Sequence, residues 1–104
     1  MKKKAATLSR RAAARVLASC YRRNGHARWQ DPERVRKEGP RRYKKGDEVR
    51  LFVSSPGELQ TIQQCLEILE FQPGKPFQKR SQICLPLYGW DAVSRFLDLV
   101  ESIP

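Results

Sequence analysis

Apolar positions recur along this chain with two periods, and each change of period marks an element. Leu8, Ala12, Val16 and Cys20 share one stripe at helical spacing, with Ala13, Leu17 and Tyr21 beside it, which predicts a first helix capped by Thr7 or Ser9. Asn24-Gly25 ends that helix, because both residues accept the left-handed conformation favoured at helix C-termini. His26 to Gln30 alternates, predicting a short strand with Ala27 and Trp29 inward and His26, Arg28 and Gln30 outward, closed by Asp31-Pro32. Residues 31–47 hold prolines, glycines and many basic residues without apolar periodicity, so a long connection is expected there.

Alternation resumes from Glu48 to Ser54, with Val49, Leu51 and Val53 on one side and Arg50 and Phe52 on the other. Ser55-Pro56-Gly57-Glu58 carries three agreeing helix-start signals: a Ser cap, Pro at the first helical position and Glu placed to close a capping box. Leu59, Ile62, Cys65, Leu66 and Leu69 form the apolar side of the following helix, which Pro73-Gly74 breaks. Lys75 to Arg80 and Gln82 to Tyr88 suit a hairpin with Ile83, Leu85 and Leu87 on its core face, and Pro86 suggests an edge or bulged strand. Gly89 turns into a last helix with Trp90, Val93, Phe96, Leu97 and Val100 at helical spacing. The predicted order is αββαββα, an α+β fold.

The 104 residues allow one domain, over residues 7–104 behind a basic tail at 1–6, and exclude a multidomain enzyme. Lys and Arg total 21 against 11 Asp and Glu, a formal net charge of +10, and the imbalance is local. Residues 1–50 carry 17 basic and 5 acidic side chains, net +12, whereas 51–104 carry 4 and 6, net −2. An anionic partner is therefore expected at the first half of the chain. Cys20, Cys65 and Cys84 are widely spaced and lack the CxxC pairs of a zinc or redox site, so they read as small buried residues and no metal is assigned. With no run of 18 apolar residues and no signal-like start, no membrane is expected as a partner, and the localisation expected is intracellular, in cytoplasm or nucleoid. The Arg- and Ala-rich, acid-free start keeps an organelle as an alternative.

With its basic first hairpin, this order resembles one LAGLIDADG homing-endonuclease unit. The name-giving motif laid on Leu17-Ala18-Ser19-Cys20-Tyr21-Arg22-Arg23-Asn24-Gly25 matches at Leu17, Ala18 and Gly25. VRLFVSS, GKPFQKRSQICLPLYG and WDAVSRFLDLV stand where the family has its second strand, second hairpin and last helix, so the likeness spans about residues 8–102. It implies a four-stranded antiparallel saddle sheet with helices on one face. It also implies a homodimer paired through the first helix, with Ala12, Ala13, Val16, Leu17 and Cys20 at the interface, since one unit holds half a site. The family's acidic residue at the end of that helix binds a divalent metal between the scissile phosphates. Here that position is Asn24, an amide that cannot act as an anionic ligand for magnesium, and Arg22 and Arg23 beside it favour phosphate over a cation. Asp31 and Asp47 are poor substitutes because neither lies at the helix end. The implied protein is a duplex-DNA binder that does not cleave and needs no cofactor. An active, Mg2+-dependent DNA endonuclease is the alternative.

DNA contact is also arguable from the residues alone. A sheet presenting His26, Arg28, Gln30, Arg50 and Lys79 offers donors at two-residue spacing, suited to base edges or phosphates in a major groove. Arg41, Arg42, Lys44 and Lys45 in the connection, with Arg34, Arg36, Lys37 and the tail Lys2 to Lys4, add phosphate contacts that position without reading sequence. A solvated basic run is the plain alternative for residues 31–47, and a strand-surface role for His26. Two other classes remain open. One is a small RNA- or ribosome-associated protein, although an RNP-like aromatic run is lacking. The other is an α/β protein that binds a protein partner through its acidic helices.

Overall fold

The computed structural model describes residues 8–28 and 47–104. The tail to Thr7 and the segment from Trp29 to Gly46, with Gln30, Arg41, Arg42, Lys44 and Lys45, lie outside the described residues. Described in chain order are α1 (Arg10–Asn24), β1 (His26–Arg28), β2 (Glu48–Val53), α2 (Pro56–Ile68), β3 (Phe77–Lys79), β4 (Gln82–Tyr88) and α3 (Trp90–Glu101). The αββαββα order is thus observed, and the four strands form one open antiparallel sheet in the order β1-β2-β4-β3.

The local signals at the helix starts act as their chemistry predicts. Ser9 caps α1 by accepting from the Ala12 N–H at 3.0 Å. Ser55 caps α2 by accepting from the Glu58 N–H at 3.1 Å, while the Glu58 carboxylate accepts from the Ser54 N–H at 3.0 Å, completing the box one residue further back than its usual form. α3 starts at Gly89, whose φ of 98° is a backbone conformation that side chains strain to adopt.

The core lies between the three helices and one face of the sheet. Val49, Leu51, Val53, Leu85 and Leu87 line that face and are fully buried with Ala13, Leu17, Ala18, Ile62, Leu66, Val93 and Phe96 from the helices. α1 is the central helix, touching α2, α3 and β2. Tyr21 and Phe71 each meet Phe96 edge to face, with ring centroids at 5.7 and 5.8 Å.

Four expectations are corrected. Gly25 is extended (φ −87°, ψ 168°), not left-handed; its need for glycine is spatial, since a Cβ there would sit 2.7 Å from the Tyr21 carbonyl oxygen as the chain turns straight from helix to strand. Ala27 is exposed, because β1 is an edge strand of three residues. Trp90 is 67% exposed: it is the first residue of α3 and precedes the turn that packs on the core. Pro86 stands in an inner strand, in register with Arg50 of β2. The pairing tolerates it because its carbonyl accepts from the Gly74 N–H at 2.8 Å, on the side away from β2. In an antiparallel strand the nitrogen of that residue points the same way, so no bond to β2 is lost.

Candidate nucleic-acid interface

Strand parity sets what the other face of the sheet carries. The register places Arg28, Glu48 and Tyr88 in one cross-strand row, His26, Arg50 and Pro86 in the next, then Phe52, Cys84 and Phe77, and finally Gln82 and Lys79. His26, Arg28, Arg50 and Lys79, predicted from the sequence as donors, converge with Glu48 and Phe52 around one shallow depression on this face. Phe77 and Tyr88 stand on the same face, 39% and 56% exposed.

The centre of the face is an ion-paired trio that sequence reasoning missed. Glu48 is only 3% exposed, and its two carboxylate oxygens are divided between two strands. Oε1 accepts from Arg28 Nη2 at 2.6 Å and Oε2 accepts from Arg50 Nε at 2.9 Å. These are charge-assisted bonds, and they offset the cost of taking a carboxylate out of water. Arg50 reaches across β4 to place its guanidinium 5.9 Å from the centroid of the Phe77 ring. The hydrogen bond to Glu48 is also the main reason that Arg50 holds its proton even more firmly than an ordinary arginine. The face therefore presents three cationic side chains and His26 around one sunken negative charge. The signal for Glu48 was its parity: it shares a face with Arg50 two residues on, and the hairpin brings Arg28 opposite.

Other predicted residues go elsewhere. Arg22 points along the helical layer, donating from Nη2 to the Val100 carbonyl at 2.7 Å and from Nη1 to the Pro104 carbonyl at 3.2 Å, so it closes the C-terminal end of α3. Arg23 pairs with Glu58 at the start of α2. Arg22 and Arg23 are thus engaged among the helices and do not join the cluster of cations on the sheet face. The expected interface on α1 is corrected as well. Ala13, Leu17 and Cys20 are buried in the chain's own core, Ala12 and Val16 are half-buried, and the solvent side of the helix carries Arg11, Arg15 and Ser19.

Asn24 is the exposed last residue of α1, directly before the turn into β1. Asp47 is buried, and its carbonyl accepts from the Gly89 N–H at 3.1 Å. Among the described residues no group of three or more His, Cys, Asp or Glu is placed to hold a metal ion. Cys20, Cys65 and Cys84 are buried free thiols, and burial pushes each one's pKa up, so none is poised as a thiolate. Among the described residues no helix is long and apolar enough to cross a membrane. No family model, curated protein or solved structure matches this chain.

Proposed function

We propose that this protein binds duplex DNA through the face of its sheet opposite the described helices and does not cleave it. The observation that carries the reading is the meeting of His26, Arg28, Arg50 and Lys79, from three strands, on the sheet face opposite the described helices. A twisted antiparallel sheet can enter a major groove, where Arg and Lys side chains reach base edges and phosphates. The sequence between β1 and β2 includes Arg41, Arg42, Lys44 and Lys45, which add to the positive charge available to phosphates. Asn24 at the motif position supplies an amide where magnesium prefers a carboxylate, which supports binding without cleavage.

One chain suffices for this binding. A symmetric pair through α1, as the resemblance implies, would rest on Ala12, Val16 and Ser19 and would turn Arg11 and Arg15 toward a second set of arginines. A second reading is favoured by the exposed rings of Phe77 and Tyr88, since aromatic side chains on a sheet stack unpaired bases. Fluorescence anisotropy with duplex DNA, single-stranded DNA and structured RNA in competition tests both. The duplex is expected to win, with affinity falling steeply as salt rises. Preference for a single strand would select the second reading, and a flat salt response would overturn both.

A further inference from the structure

Arg50 is fixed on two sides. Its Nε is held by Glu48 at 2.9 Å and its guanidinium lies over Phe77 at 5.9 Å, on an inner strand of the sheet. Lys79 is an exposed point charge on an edge strand, and His26 is exposed on the other edge. The guanidinium is planar, so fixing the Nε edge also fixes the direction of the terminal nitrogens, and these are the pair that can donate two parallel hydrogen bonds.

The buried position of Glu48 argues about purpose. A face built only to attract phosphates gains nothing from a carboxylate at its centre, because that charge repels the backbone it would bind. Both oxygens of Glu48 are occupied by Arg28 and Arg50, so it is not placed to accept from a cytosine amino group. What the carboxylate does supply is orientation. It lowers the net charge of the face while locking a fork, a combination that suits recognition of a base edge better than attraction to a backbone.

Resting on the reading of this face as a DNA-binding surface, we infer that Arg50 reads a guanine in the duplex, donating to O6 and N7 in the major groove, with Glu48 as its positioning residue. A guanine edge offers two acceptors at the spacing of the guanidinium fork, which adenine and the pyrimidines do not. Phosphate, which also accepts two hydrogen bonds from a guanidinium, is the competing acceptor and is distinguished by the test.

The experiment measures binding of the full chain to a library of short duplexes, selects the tightest, and repeats the measurement with each guanine replaced in turn by 7-deazaguanine, which lacks the N7 acceptor but keeps base pairing. The inference predicts one guanine whose replacement weakens binding about tenfold, the effect of losing one of the two charge-assisted hydrogen bonds of a bidentate contact. It further predicts that Arg50→Lys and Glu48→Gln each abolish the difference between guanine and 7-deazaguanine at that position. Arg50→Lys keeps the charge and is partly exposed, so it reports even if Glu48→Gln folds poorly. Selected duplexes without a sensitive guanine, or a guanine effect that survives Arg50→Lys, would overturn the inference while leaving DNA binding in place. A chain that binds no duplex would overturn the proposed function and this inference with it.

Discussion

Removal of the charge on Glu48 should lower stability while raising affinity for duplexes that lack the guanine read by Arg50. In Glu48→Gln the side chain keeps its volume, but the amide nitrogen is a donor that must face either Arg28 or Arg50, each also a donor. One of two charge-assisted bonds is lost outright and the other weakens, and such bonds contribute about 1.5–3 kcal/mol each. The loss is offset because the arginines are not trapped: their side chains are 48% and 27% exposed and can turn into water, unlike the partner of a fully buried pair. The net expectation is a destabilisation of about 1–2 kcal/mol, or roughly 5–15 °C in melting temperature for a domain of this size. The same change removes a negative charge from the centre of the basic face, so affinity for guanine-poor duplexes should rise and the salt dependence should steepen by up to about one counterion. Urea unfolding and salt-dependent anisotropy on the same preparations measure both. A variant as stable as the native chain, or one that loses affinity for every duplex equally, would refute the account of Glu48 as a sunken counter-charge.

Three further outcomes are expected. Gly25→Ala should destabilise by about 2 kcal/mol or more, because the new Cβ meets the Tyr21 carbonyl at 2.7 Å, and chemical denaturation measures it. Arg22→Ala should cost roughly 1 kcal/mol by releasing the C-terminal carbonyls of α3, seen as faster amide exchange over the last turn of that helix, while duplex affinity changes little. The raised pKa values and burial of Cys20, Cys65 and Cys84 predict slow alkylation of the native chain near pH 8 and fast alkylation in urea; rapid labelling without denaturant would contradict their burial.

Local pattern disclosed the elements because each is specified by its own residues. The cap at Ser55-Pro56-Gly57-Glu58 and the alternation through Val49, Leu51 and Val53 need no partner to be read. Parity likewise put Arg28 and Arg50 on one side of their strands. What stayed hidden depends on partners distant in sequence. Arg22 looked like a basic residue near the motif, yet its acceptors lie 78 and 82 residues away. Pro86 marked an edge by its missing N–H, but the short β3 and the turn at Gly74 leave that side of an inner strand open to it. Trp90 shared the period of the last helix while sitting at its first position, where period alone does not determine burial. Glu48 was visible as the start of a strand. Its importance appears only when β1 pairs with β2 and the carboxylate sinks between two arginines.

The proposal that the sheet face opposite the described helices meets duplex DNA is tested most directly by titrating the isotope-labelled chain with a short duplex and following backbone amide shifts. Changes should concentrate at His26, Arg28, Glu48, Arg50 and Lys79 and spare the solvent sides of α2 and α3. Changes confined to those helices, or none at any duplex concentration, would contradict it.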